Sequence, residues 1–424
     1  MLTRFINNTR GSVAPLMGFL ALPLMGFVGA AVDYTRANAA HTAFQTSLDS
    51  TALMLAKTAA TQTGADLQST ATGYFNALFT RSDVTGVAVT ANYDSTVGSK
   101  VTLTATASVQ TNFLGVLGYG QIPISAASTS VWGNTRLRVA LVLDNTGSMA
   151  SSSKMSALKT ASQNLLAQLK SAAVTVDDVY VSIVPFNKDV NVGADKYNET
   201  WLRWDLWEAE NGSCSSNSYN NQSSCVSHSK TWTPAAHSTW NGCITDRDQN
   251  FDTTNDVPNA GATLYPAEQY ASCPASLMAL SNDWTTLSAK IDAMQPNGNT
   301  NQAIGLQMGW QTLTAAPFTV PAIDPKYKYT QVIILLTDGL NTQDRWYSNA
   351  SSIDTRQQKT CDNIKSAGIT VYTVQVNTGS DPTSTLLQNC ASDPSKFFLL
   401  TSSVQIVTTF GQIGTALSNL RLAM

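Results

Sequence analysis

From Val13 to Val32 the chain runs 20 consecutive positions without a charged side chain. A helix rising about 1.5 Å per residue needs about 20 such positions to cross the hydrocarbon core of a bilayer. Arg4 and Arg10 precede the run and Asp33 follows it, so the positive-inside bias puts residues 1–12 in the cytoplasm and everything after residue 33 outside. Pro15 and Pro23 fall inside the run, which membrane helices tolerate better than soluble ones. The other reading is a cleaved secretory signal, whose apolar core is usually about 7 to 15 residues. The run exceeds that, and the expectation is an uncleaved single-pass anchor over 13–32. Beyond Asp33 the helical period continues, with Tyr34, Ala37, His41, Phe44, Leu48, Thr51 and Leu55 forming a narrow packing stripe. His41 reads as a helix-contact residue, because no Cys or second His lies near it in sequence.

Beyond Gly64, and clearly by Val87, the period changes from helical to two. Val87, Val89, Ala91 and Tyr93 alternate with small or polar residues, and Val101, Leu103, Ala105, Ala107 and Val109 with Thr and Ser. Both runs predict half-buried strands, and a third follows near Ile122 to Trp132. Residues 33–135 therefore predict a long helix and a small antiparallel sheet, a pilin-like α+β plan. From 136 to 424 the pattern is different. Apolar runs at Leu137–Leu143, Val179–Val184, "QVIILLTDG", Thr370–Val376 and Phe397–Leu400 alternate with helical stripes near Trp284–Met294, Asn301–Leu313, Asp354–Ala367 and Val404–Leu420. A further helix carries Met155, Leu158, Ala161, Leu165, Leu166 and Leu169 on one face, after N-cap candidates Ser151 to Ser153. Such alternation predicts an α/β fold with a doubly wound, mostly parallel sheet. An aperiodic stretch at about 189–282, rich in Asn, Ser and Trp, is too long for an ordinary loop and reads as an ordered insertion.

Composition narrows the function classes. The formal charge of −3, with a pI near 5.6, argues against nucleic-acid binding. An apolar content of 43% with 9 Trp, 13 Tyr and 13 Phe excludes intrinsic disorder. All 6 Cys lie outside the apolar run, which favours three disulfides in an oxidising compartment. The expected pairs are Cys361 with Cys390, Cys214 with Cys225 and Cys243 with Cys273, although spacing alone does not fix connectivity. The alternative is zinc held by Cys225, His228, His237 and Cys243, a spacing that matches no zinc-ribbon pattern. The acidic run Asp246 to Asp256 imitates a calcium-binding EF-hand loop but has Phe251 in place of the turn Gly and Val257 in place of the bidentate Glu. The Trp residues of the insertion, Trp201, Trp204, Trp207, Trp232 and Trp240, read as a local core.

The candidate chemistry lies where the strand Leu137–Leu143 runs into "DNTGSM", Asp144 to Met149. A buried strand ending in a carboxylate and hydroxyls puts hard oxygen ligands at the carboxyl edge of a sheet. Alone, Asp144 could equally be an acid stabilising a helix N-terminus. Asp144, Thr146 and Ser148 resemble the DxSxS signature of the von Willebrand factor A domain, with Thr at a usual Ser position. In that family a Thr and an Asp from two later loops complete a metal-ion-dependent adhesion site. The resemblance implies Thr300, which opens the helix after "PNGN", and Asp338, at the end of "QVIILLTDG", in those roles. Two carboxylates and three hydroxyls without Cys or His suit a hard divalent cation, Mg²⁺, Mn²⁺ or Ca²⁺. In the resembled family the two Asp act largely through water and an open position accepts a partner's carboxylate. The ion then serves recognition, and no enzyme activity is implied.

The N-terminal run "RGSVAPLMGFLALPLMGFVGAAVDYTRANAAHTAFQTSLDSTALMLA" resembles TadE/TadG-like proteins, membrane-anchored components of Flp (tight adherence) pilus assembly. "WNGCITDRDQNFD" and the terminal "NLRLAM" resemble TadG-like members that join this anchor to an A-like domain. Prepilin processing prefers a Glu five residues after the cleavage Gly, and counting from Gly11 that position is Leu16. The resemblance implies an inner-membrane protein with its bulk in the periplasm or at the cell surface, binding a protein partner in pilus assembly or adhesion. Two alternatives stand beside it. A metal-dependent secreted or surface hydrolase would need a general base, yet His41, His228 and His237 fall outside the three candidate loops, and no nucleophile elbow or phosphate loop occurs. A structural pilin-like subunit would use the stripe from Tyr34 to Leu55 as a filament contact.

Overall fold

The computed structural model describes residues 13–56, 58–59, 62–96, 99–132, 135–379 and 381–422. The expected cytoplasmic segment 1–12, with Arg4, Arg10 and Gly11, lies outside the described residues, as do Ala423 and Met424. Two compact units divide the chain, Met1–Asn134 and Thr135–Ala423.

In the first unit, helix α1 (Val13–Leu55) runs unbroken through Pro23. It is long and apolar enough to cross a membrane. Its C-terminal half buries Ala37, Ala40, Phe44, Leu48, Ala52 and Leu55. Tyr34, expected on that stripe, is exposed instead, while His41 sits at its edge with Nε2 3.0 Å from the Ser125 carbonyl. Beyond Gly64, where the sequence predicts a change to a strand period, the chain forms a second helix, α2 (Gly64–Leu78). Thr63 caps it by accepting from the Asp66 amide, and Leu67, Ala71 and Phe75, four residues apart, supply its buried face. That stripe is only three residues deep, too short to dominate the surrounding Ser, Thr and Gly. Phe44 meets Phe75 and Phe79 edge to face, each with ring centroids 5.1 Å apart. The sheet is an antiparallel meander of β1 (Val84–Asp94), β2 (Ser99–Gln110) and β3 (Gln121–Trp132). The alternating Val101, Leu103, Ala105, Ala107 and Val109 of β2 are all buried in the same core as the helices.

The second unit is an α/β fold around five parallel strands: β4 (Thr135–Asp144), β5 (Val179–Phe186), β6 (Lys328–Thr337), β7 (Thr370–Val376) and β8 (Phe397–Leu400). Their order across the sheet is β8-β7-β6-β4-β5, and every neighbouring pair is parallel. Strand β4 shows why both faces are covered. Leu137, Val139, Leu141 and Leu143 face α3 (Lys154–Ala172), α4 (Trp284–Asp292) and α8 (Val404–Leu422) in one core. Ala140 and Val142 face α5 (Gln302–Thr314) and α6 (Ala350–Ser366) in the other. Sites at the carboxyl ends of such strands follow from the winding.

The stretch between β5 and α4 is ordered. Its segments Val190–Asn191, Cys243–Ile244, Tyr265–Glu268 and Leu202–Arg203 extend the sheet past β5, and Met278–Ser281 pairs antiparallel with β5 itself. Trp201, Trp207, Trp240 and Tyr265 are buried there. Disulfides join Cys214 to Cys225 and Cys243 to Cys273, so the thiolates needed for the zinc alternative are not available. A third, Cys361–Cys390, ties α6 to α7 (Thr385–Cys390).

Candidate functional site

Three loops leave the carboxyl edge of the sheet and are hydrogen-bonded to one another. The first follows β4. Asp144, fully buried, accepts from the Thr146 amide at 2.8 Å on Oδ1 and from the Thr337 hydroxyl at 2.7 Å on Oδ2. The Thr146 and Ser148 hydroxyls are 2.9 Å apart, and Ser148 Oγ donates to Asp338 Oδ1 at 2.6 Å. Asp144, Thr146, Ser148 and Asp338 thus form one polar chain drawn from β4 and β6, held by the parallel register that pairs Leu143 with Leu336.

The second loop precedes α5. Its Gly298 carbonyl accepts from the Gly147 amide at 3.0 Å, and its Asn297 amide donates to the Asn145 carbonyl at 2.9 Å. Gly298 has φ +82°, and a β-carbon there would stand 2.8 Å from both Asn187 Nδ2 and the Tyr270 hydroxyl, so both backbone and space demand Gly. Thr300, nearly buried, is fixed through its backbone. Its amide donates to Thr342 Oγ1 at 2.8 Å, and its carbonyl accepts from the amides of Thr342 at 2.9 Å and Gln343 at 3.2 Å. The third loop, after β6, is locked by Asn341, which accepts from the Gln302 amide and donates to Asp354 and Gln357.

One carboxylate in this polar chain is electrostatically costly. Burial, and then the facing Asp338 charge, push the Asp144 carboxyl up to about 6, against the lowering effect of its hydroxyl and amide donors. The buried ammonium of Lys154 pairs with Asp338 Oδ2. Among the described residues no group of three or more His, Cys, Asp or Glu side chains is placed to hold a metal. Any ion here would rely on two carboxylates completed by hydroxyls.

Lys154, Thr337 and Asn341 escape sequence reasoning. Lys154 sits beside the apolar stripe of α3 and reads as a solvated charge, and Asn341 reads as loop polarity. Thr337, directly before Asp338 at a strand end, carried the better signal.

Beside this edge lies a second acidic group from the insertion. Asp189 is fully buried, with Lys188 Nζ 3.8 Å away and the Thr245 side chain beside it. Burial, with Glu268 next, raises its pKa well above the ordinary value. Asp246 is pushed up to about 7 by burial and then by Asp344, though it accepts from Asn301 Nδ2 at 2.8 Å. A cavity of about 550 Å³ opens here, lined among others by Lys188, Trp207, Glu268, Gln343, Arg345 and Trp346.

Two family models match the chain: von Willebrand factor type A domain over residues 251–412, and Flp pilus-assembly TadE/G-like over residues 11–67. The first takes in Thr300 and Asp338 but begins after Asp144, Thr146 and Ser148. No curated protein matches the chain. Among solved structures, the pilus adhesin SpaC from Lactobacillus rhamnosus GG aligns at 12% identity and TM-score 0.39 over 80% of this chain and 35% of that one. The chain thus spans about a third of SpaC. The vWF domain of the type V pili tip protein Mfa5 from Porphyromonas gingivalis aligns at 11% identity and TM-score 0.38, over 70% of this chain and 98% of that one. Proximal thread matrix protein 1 from the mussel byssus, with a zinc-occupied MIDAS motif, aligns at 13% identity and TM-score 0.35, over 68% and 47%.

Proposed function

We propose that this chain, which carries a TadE/G-like segment and a von Willebrand factor type A domain, is an inner-membrane-anchored component of Flp/Tad pilus assembly or surface attachment. Its second unit faces the periplasm and binds a protein partner through a divalent cation held by Asp144, Thr146, Ser148, Thr300 and Asp338. The observation carrying this reading is the polar chain itself. The hydroxyl pair at 2.9 Å and the hydroxyl–carboxylate pair at 2.6 Å approach the oxygen spacing of one hard ion's coordination shell, since bonds of about 2.1 Å at right angles put neighbouring ligands about 3 Å apart. A cation there would also offset the burial and the facing Asp338 charge that together lift Asp144. When bound, it supplies an acceptor for a partner's carboxylate, which is binding chemistry rather than catalysis.

Deletion of the gene, complemented with wild type or Asp144→Ala, tests this reading. Surface attachment should fall with Asp144→Ala. Unchanged pilus number alongside that loss assigns the ion to adhesion, and loss of pili assigns it to assembly. Full complementation of both by Asp144→Ala at wild-type protein levels would contradict the proposal.

A further inference from the structure

The loop between β2 and β3 in the first unit carries no charge from Thr111 to Gly120, "TNFLGVLGYG". Phe113, Val116, Leu117 and Tyr119 are 51%, 88%, 61% and 68% exposed, an apolar cluster that water disfavours. The loop is also placed along the anchor. A β-carbon on Gly29 of α1 would stand 2.6 Å from Phe113 Cβ, and Leu117 lines a hollow with Pro23, Gly26, Phe27 and Ala30. These helix positions lie three to ten residues before Asp33, roughly 5–15 Å along the axis toward the N-terminus. Around them Leu24, Met25, Phe27 and Val28 are exposed, as lipid-facing residues would be.

Irregular backbone is tolerated at that depth only when its polar groups are satisfied within the protein. Here they are extensively so. Asp33 accepts from the amides of Asn112, Phe113 and Leu114 at 2.7 to 3.0 Å. The amides of Thr111, Val116, Gly118 and Tyr119 donate to carbonyls inside the loop, and the Thr111 hydroxyl donates to the Tyr119 carbonyl. Buried Asp33 therefore acts as a clamp that lets the loop turn its apolar side chains outward.

We infer that the loop Phe113–Tyr119 is a second membrane contact, dipping into the outer interface of the bilayer beside the anchor, with Tyr119 suited to the headgroup level. The inference rests on residues 13–32 spanning the membrane, and the occupant is lipid rather than a second copy of the chain.

The test uses the full chain in phosphatidylethanolamine/phosphatidylglycerol vesicles. All six native cysteines are in disulfides, so single cysteines can carry a nitroxide. Val116→Cys and Leu117→Cys report the loop, Leu20→Cys the anchor, and Thr90→Cys an exposed point on β1. Collision rates with oxygen and with a water-soluble nickel chelate measure depth. The inference expects the oxygen-to-nickel ratio at 116 and 117 to exceed that at 90 and to stay below that at 20, which lies deeper in the span. A ratio at 116 and 117 equal to that at 90, with 20 still lipid-like, overturns the loop contact and leaves the anchor standing. A water-like ratio at 20 overturns both. Spin–spin broadening at 116 that vanishes on dilution with unlabelled chain shows a second copy on the loop and also overturns the inference.

Discussion

The ammonium of Lys154 already supplies positive charge to Asp338, so it competes with any ion bound there. Breaking a buried pair by removing one partner typically costs about 3–5 kcal/mol, because the remaining charge stays desolvated. Lys154→Met, of similar length, should therefore lower the metal-free melting temperature and tighten Mn²⁺ binding measured by calorimetry. Weaker binding would show that Lys154 supports the site instead. Titration behaviour is also set residue by residue. Asp246 and Asp144 have folded-state pKa values raised to about 7 and about 6 from 3.8. A raised carboxyl means the folded state holds the proton more tightly than the unfolded one. Its contribution is complete below the unfolded value and is lost as pH rises through the folded one. Metal-free stability in urea should therefore fall between about pH 4 and pH 7, and Asp246→Asn should remove at most on the order of 4 kcal/mol of that fall. An unchanged slope would contradict the assignment. What the sequence reveals at this scale is the side chains whose chemistry is visible in a motif. Lys154 is hidden, because its burial depends on which side of α3 meets the end of β6.

Helix α5 shows how closely the elements around the site are fitted. A β-carbon on Gly305 would stand 2.6 Å from the Phe186 ring, and one on Gly309 2.5 Å from Val142 Cγ2. Gly309→Ala raises helix propensity yet overpacks against the sheet, and the second effect should win by about 1–3 kcal/mol. A stabilised variant in thermal unfolding would show that α5 has room to move. The major parallel strands are legible because burial on both faces leaves near-continuous apolar runs, as in Leu137–Leu143, broken only by Arg138, and Val332–Leu336. Helix α2 is not, since its small buried stripe sits among Ser, Thr and Gly. The short strands of the insertion are two to four residues long, too brief for periodicity to register.

At the scale of the molecule, a TadE/G-like segment and a von Willebrand factor type A domain share one chain, and the sheet edge of the second unit gathers oxygen-bearing side chains from segments nearly two hundred residues apart in sequence. Order along the chain suggested this gathering, but the parallel β4–β6 pairing and the loop-to-loop hydrogen bonds produce it. Cation binding should then stabilise the folded state by linkage, about 2.7 kcal/mol at a hundredfold excess over Kd. The most direct measurement is the unfolding temperature of the purified full chain after chelation, with and without Mg²⁺ or Mn²⁺, for wild type, Asp144→Ala, Asp338→Ala and the milder Ser148→Ala. The account expects a rise for wild type, a smaller one for Ser148→Ala and none for the two Asp variants. An equal rise in all four, or no rise with wild type, would contradict it.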